Sequence, residues 1–232
     1  VLVPFRNEEE NLPNLVSSLQ DLDYSTSHHE VIFINDHSSD SSLQILEELI
    51  QLQSNFKILE LPKELIGKKA AINLGVEKAR NEFIITTDAD CLVHQNWLQS
   101  YNNYLQSNQV DAVIGSVSIA ERKTFLEKFQ YYDFMALQAV SFGMANLKKP
   151  ILCNGANFCY GKNAFQKVEG FLGNEDQPSG DDVLLLQKML DSNLKIGQIL
   201  NEENVVLTKA VSELKLFAQQ RKRWFNKTKY TS

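Results

Sequence analysis

Phe83-Ile84-Ile85-Thr86-Thr87-Asp88-Ala89-Asp90 is the stretch on which the fold turns. Its first five residues are apolar or β-branched with no polar alternation, a pattern that predicts a short strand buried on both faces. The strand stops at two carboxylates. Outward from it toward the N-terminus the same unit repeats: a helix over Lys69 to Arg80, a strand over Phe56 to Leu61 ended by Pro62, and a helix from Leu43 to Leu52. That helix follows the cap-rich run Asp36 to Ser42 and the strand Val31-Ile32-Phe33-Ile34. Asn11 to Leu22 places Leu12, Leu15, Val16, Leu19 and Leu22 on one helical stripe, with Glu8, Glu9 and Glu10 suited to its first turn, and Val1-Leu2-Val3 reads as the opening strand. Apolar runs alternating with helix-period segments predict an α/β domain, a mostly parallel sheet flanked by crossover helices. In such sheets the ligand crevice lies beyond the carboxyl ends of the strands. Pro4 to Glu8, Asn35 to Ser39 and Asp88 to Asp90 are therefore expected to converge.

The other half is less regular. A strand is expected over Asp111 to Ile119, a long apolar and aromatic helix over Phe125 to Leu147, and a glycine-bearing stretch from Cys153 to Gly161. A helix after Asp181-Asp182, a strand pair at Lys195 to Gln198 and Val205 to Leu207, and a last helix from Ser212 to Phe225 complete the chain. No internal repeat or low-complexity linker interrupts it.

With 232 residues, 43% hydrophobic and 22% charged, one large domain is favoured over two small ones, and collagen-like or disordered classes are excluded. The net charge of −6 argues against a general nucleic-acid binder, which needs a basic surface. Cys91, Cys153 and Cys159 have neither pairing nor zinc-ligand spacing, so a reducing compartment is favoured. No signal peptide opens the chain, and no apolar run approaches the ~18 residues of a membrane span. A start inside a strand and a stop just after a basic, aromatic segment lead us to expect a fragment of a longer chain.

Three groups could carry chemistry. Asp88 and Asp90, two apart beyond a strand, can hold a hard divalent cation through oxygen, although two aspartates there also make an ordinary solvated turn. Asp181-Asp182 follows Pro178-Ser179-Gly180 and opens a helix, where a carboxylate is either a cap or a general base facing a cleft. Gln220-Arg221-Lys222-Arg223-Trp224 joins fixed positive charge to an indole; Arg grips diphosphates and Trp stacks on sugars, although a solvated helix end looks the same. Phe129 to Phe142, with Tyr131, Tyr132, Phe134, Met135 and Leu137, reads as a core helix or as one beside a membrane or an acceptor channel.

In order, these pieces resemble family 2 glycosyltransferases, inverting nucleotide-sugar enzymes with the GT-A, Rossmann-like nucleotide-binding fold. Val1 to Glu9 looks like the family's opening strand and nucleotide loop, which implies that Pro4, Arg6 and Glu8 lie at the donor. Ile34 to Asp40 looks like its second loop; Asn35 replaces the usual first aspartate, leaving Asp36 as the base-reading carboxylate. Gly67-Lys68 with Ala71-Ile72-Asn73 is similar to the glycine-lysine segment, implying Lys68 near the nucleotide, with Lys69 the alternative beside it. Asp88-Ala89-Asp90 matches the metal motif, Gly170-Phe171 the turn before the base, and Asp181-Asp182 stands where the family has glutamate-aspartate. Gln220, Arg223 and Trp224 match the Gln-x-x-Arg-Trp signature of membrane-embedded members.

The resemblance implies metal-dependent, inverting hexosyl transfer from a nucleotide-diphosphate sugar to an acceptor hydroxyl on a glycan or lipid-linked molecule. Asp182 is implied as general base, Asp88 and Asp90 as ligands of Mg²⁺ or Mn²⁺, and Gln220 and Arg223 as diphosphate contacts. Asp181 and Trp224 are implied at the acceptor. A UDP-sugar is the expected donor, residues 1–92 the nucleotide-sugar half and residues 93–232 the acceptor and base half of one catalytic domain. The implied location is cytoplasmic, at the inner face of a membrane held by segments outside this chain, with no nucleic-acid partner. Two alternatives stand beside it. Haloacid dehalogenase-type phosphatases also use an aspartate-any-aspartate after a strand, but continue with Thr or Val where this chain has Leu92. A non-catalytic nucleotide-sugar-binding domain would need none of the competent side chains found at the candidate positions.

Overall fold

The computed structural model describes residues 1–146, 150, 152–173 and 181–228, with side chains given for all of these except 145, 146, 181 and 223–228. The opening strand β1 (Leu2–Phe5) lies parallel to β2 (Val31–Asn35), which is parallel to β3 (Phe56–Glu60). On its other side β1 meets β4 (Phe83–Thr86), also parallel. Between these strands run α1 (Leu12–Gln20), α2 (Ser42–Ile50) and α3 (Lys68–Lys78). Strand order therefore reverses between β1 and β4, and the loops beyond their carboxyl ends open onto that reversal.

Alternation along each strand fills two cores. Val3, Phe5, Val31 and Phe33 pack with Leu12, Leu15, Val16 and Leu19 of α1, whereas Leu2, Ile32 and Ile34 pack with Ala71, Ile72 and Val76 of α3. The sheet is thus buried on both faces, as unbroken apolar strands require.

The second half departs from expectation in four places. The single strand expected over Asp111 to Ile119 is two, β6 (Ala112–Ile114) and β7 (Val117–Ile119), separated at Gly115-Ser116. The glycine-bearing stretch holds β8 (Phe158–Gly161), which enters the main sheet antiparallel between β4 and β6 and gives the order β3-β2-β1-β4-β8-β6-β9. The two strands expected as a pair, β9 (Ile196–Gln198) and β10 (Val206–Thr208), do not pair. Rather, β9 extends the main sheet beside β6, and β10 joins β7 and the short β5 (Cys91–Leu92) in a three-stranded sheet. Two helices not anticipated, α4 (Trp97–Ser107) and α6 (Lys162–Lys167), cover opposite faces. The long helix is α5 (Phe125–Asn146), α7 spans Asp181–Asp191, and α8 spans Leu214–Thr228. Among the described residues no helix is long and apolar enough to cross a membrane.

Candidate active site

Hydrogen bonds knit together the loops after β1 and β2. Asn7, in the left-handed conformation Asn tolerates (φ 56°), receives the Ser39 N–H on Oδ1 at 2.8 Å and donates its own N–H to Ser38 Oγ at 3.1 Å. Glu8 N–H donates to Ser42 Oγ at 2.7 Å. Asp36, at the carboxyl end of β2, is 7% exposed; its Oδ2 accepts from Gly67 N–H at 3.1 Å and lies 3.9 Å from the Arg6 guanidinium. Asp36 Oδ1 is buried without a hydrogen-bond partner among the described residues. Gly67 takes φ +94°, open to a residue without a Cβ, and starts α3 so that Lys68 leads it.

Lys68 Nζ donates to Asp88 Oδ1 in an ion pair, and Lys69 is buried instead. Asp90 is held by the Thr208 hydroxyl at 3.3 Å and the Cys91 thiol at 3.4 Å. Burial, followed by repulsion from Asp88, raises the Asp90 pKa above its ordinary value. Glu8 is raised as well, by burial and then by Asp90, Asp88 and Asp40, the Asn11 amide opposing. The three carboxylates from the ends of β1 and β4 thus feel one another, which bears out the expected convergence of these loops. Cys91 is a buried thiol donor whose pKa burial pushes well up.

Asp182 arrives from the far half. It stands second in α7; Oδ1 accepts from Val183 N–H at 2.9 Å and Oδ2 from Gly155 N–H at 3.0 Å. A Cβ built on Gly155 would lie 3.4 Å from Lys68 Nζ and 3.7 Å from Asp182 Oδ2, so the two side chains flank one glycine. The turn carrying Gly155 is anchored by Asn157, wholly buried. Its Oδ1 accepts from Trp97 Nε1 at 2.9 Å and the Tyr101 hydroxyl at 2.7 Å, and its amide nitrogen donates to Ser116 O and Asn204 O. Gly170 does take a positive φ, +49°, and Phe171 is buried against Phe165; Lys188 of α7 donates to Gly170 O at 2.9 Å and Leu172 O at 2.8 Å, tying the turn to the helix that bears Asp182.

Lys68, Asp88, Asp90, Asp182 and Gln220 all line one cavity of about 830 Å³. Pro4, Arg6, Glu8 and Asp36 do not line it and sit around the adjoining ends of β1 and β2. Arg223 and Trp224 lie on α8 and Asp181 opens α7, with side chains outside the description; Pro178-Ser179-Gly180 lies outside the described residues. Thr208, Gln130 and Asp133 also border the cavity and carried no sequence signal, and with them stand Arg221 of the basic run and Gly155 of the glycine-bearing stretch.

Among the described residues no three His, Cys, Asp or Glu side chains converge to cage a metal. Two carboxylates, one kept from easy ionisation by burial and then by the other, are nonetheless a donor set suited to Mg²⁺ or Mn²⁺, which takes one or two carboxylates and fills its remaining positions with phosphate oxygens and water.

The family model described as Glycosyl transferase family 2 matches residues 1–171. The chain belongs to that family. Among relatives of this family 2 member, glycosyltransferase AglE of Haloferax volcanii is 27% identical over 153 residues, 65% of this chain and 50% of AglE. The mannosyltransferase PcManGT from Pyrobaculum calidifontis, solved in complex with GDP-Man and Mn²⁺, superposes with a TM-score of 0.72 at 19% identity, covering 96% of this chain and 59% of that one. S. aureus TarS in complex with UDP-GlcNAc gives 0.68 at 17% identity, covering 91% and 58%. The chain thus spans little more than half of these proteins, and the shared architecture is the GT-A fold. The phosphatase and non-catalytic alternatives find no support in these likenesses.

Proposed function

We propose that this domain transfers a sugar from a nucleotide-diphosphate sugar to an acceptor hydroxyl by a single displacement, inverting the anomeric carbon, with Asp182 as general base. The observation that carries the reading is the shared cavity: Asp88 and Asp90 border it from one half of the chain and Asp182 from the other, with Lys68 between them. Two backbone N–H groups orient the Asp182 carboxylate, the group that takes the acceptor proton. The proton passes from the attacking hydroxyl to Asp182 while the bond to the diphosphate breaks on the opposite face.

Donor recognition follows from the loops. Asp36 Oδ1, buried and unsatisfied, fits an N–H of the nucleobase, and Arg6 closes over the same carboxylate. Pro4 and Glu8 border that position, Lys68 and Gln220 are assigned to the diphosphate with Arg223, and Asp181 and Trp224 to the acceptor. Asp88 and Asp90 would hold Mg²⁺ or Mn²⁺, which supplies positive charge against the departing diphosphate; the complex of PcManGT with GDP-Man and Mn²⁺ supports this choice. The donor base is uracil in our reading, with guanine the second candidate because that neighbour binds GDP-Man. Residues 1–92 form the donor half and residues 93–232 the acceptor half of one catalytic unit. We assign it to the cytoplasmic face of a membrane, since Phe125, Leu214 and Leu216 expose apolar surface beside the basic α8.

Release of nucleoside diphosphate, measured with UDP-GlcNAc and GDP-mannose, Mn²⁺ or EDTA, and with and without acceptor, tests the reading. Metal-dependent release that acceptor accelerates is the expected result. Release of inorganic phosphate from simple phosphomonoesters, with no nucleotide product, would overturn it.

A further inference from the structure

The cavity has one wall that no assigned role explains. Along α5 its polar side chains are turned into the protein. Gln130 accepts from Val211 N–H at 3.0 Å and donates to Val211 O at 2.9 Å. Two turns on, Gln138 treats Val117 the same way, accepting from its N–H at 2.8 Å and donating to its carbonyl. Ser141 donates to Leu152 O, and Asp133 is ion-paired with Arg221 of α8. Each glutamine amide therefore saturates one backbone residue on the opposing segment, and these two side chains keep little hydrogen-bonding capacity for a ligand. Most of what faces the space is hydrocarbon: Phe134, Leu137 and Phe142 from the helix, with Ile119, Leu152 and Val183 around them. The strip does not end inside. Leu137 borders the cavity while 37% exposed, and Val140, on the same helix, is 56% exposed.

We propose that this arm of the cavity holds the hydrocarbon part of an amphipathic acceptor, whose hydroxyl meets Asp182 while its chain lies along α5 and leaves past Leu137. The inference rests on the transferase reading and narrows its acceptor. A polyhydroxylated chain laid against this wall would give up water and regain few hydrogen bonds, whereas an alkyl or isoprenoid chain gains from burial. Asp182 at the polar end suits the head group of the same molecule.

Calorimetric titration of the chain with n-alkyl β-D-glucosides from methyl to octyl, below their micelle concentrations and with UDP or GDP and Mn²⁺ present, tests this. Affinity should rise about fourfold for each methylene that enters the arm, with a negative heat-capacity change. Leu137→Glu should flatten that dependence, and Tyr132→Glu, on α5 but outside the cavity and 68% exposed, should leave it unchanged. Three results would overturn the proposal: equal affinity along the series, a dependence that survives Leu137→Glu, or cellotetraose binding more tightly than octyl glucoside. Nucleotide binding in the same samples separates the two readings. Normal UDP or GDP affinity with a flat alkyl series removes only the apolar acceptor, while absence of both nucleotides from the site sinks the transferase reading, and the acceptor assignment with it.

Discussion

The end of β4 and the wall of α5 border one cavity and treat their polar groups in opposite ways. At β4, burial and then repulsion from Asp88 raise the pKa of Asp90, and burial followed by the same carboxylates raises that of Glu8. On α5, Gln130, Gln138 and Ser141 are satisfied by backbone groups. Among the described residues the repulsion at β4 is eased by Lys68 and by weak donors on Asp90, an arrangement consistent with the cation proposed above. Satisfied amides mark a surface built to be a wall.

The largest effect is expected where the two regions meet. Asp182→Asn keeps an oxygen for Gly155 N–H and removes the proton acceptor, so turnover should fall about 10²- to 10⁴-fold while donor affinity, measured by calorimetry, stays at the wild-type value. Loss of donor binding in step with turnover would place Asp182 on the donor side and break the comparison. Asp90→Ala comes next: donor affinity in Mn²⁺ should drop to the level found in EDTA, with the acceptor-side alkyl dependence untouched. Unchanged affinity would mean that the β4 carboxylates face no cation.

How much of this was legible follows from the range over which each signal acts. The strands β1 to β4 were readable because short, mostly apolar runs and cap-rich loops are local patterns, and the carboxylates stood out because they end such a run. Partners that hold those carboxylates were not readable. Thr208 reaches Asp90 from 118 positions away, and Gly155 reaches Asp182 through a backbone N–H that every residue but proline possesses. Likewise β8 is Phe-Cys-Tyr-Gly, too short and too glycine-rich to declare itself, and only its place between β4 and β6 makes it a strand. Asp111 to Ile119 looked continuous in its apolar pattern; Gly115-Ser116 lets the chain leave one sheet for another, a tertiary event that periodicity does not encode. Asn157 drew no notice although it joins α4, the Gly155 turn and the segments at Ser116 and Asn204.

A smaller, purely structural effect is expected on α5. Gln138→Leu keeps the volume and strands the N–H and carbonyl of Val117, so denaturant unfolding should show a loss of about 1–3 kcal/mol, and donor affinity should not move. If donor affinity fell with stability, the wall and the β4 edge would be one coupled unit instead of two.

The smallest effect concerns pH and has opposite signs with and without ligand. Because the folded pKa of Asp90 lies above its unfolded value, the folded state holds that proton more tightly; the stability this gives is present at low pH and is lost as pH rises through the folded value. Metal-free Asp90→Asn should therefore melt slightly higher than wild type at about pH 7, and the gap should close as pH falls below the ordinary carboxylate range and Asp90 becomes protonated in both the folded and unfolded states. Adding Mn²⁺ with UDP or GDP should reverse the order at neutral pH, since only the wild type gains the bound cation's stabilisation. A variant less stable than wild type without metal at neutral pH would mean that Thr208 and Cys91 outweigh burial and the Asp88 charge, and that the site is at rest when empty.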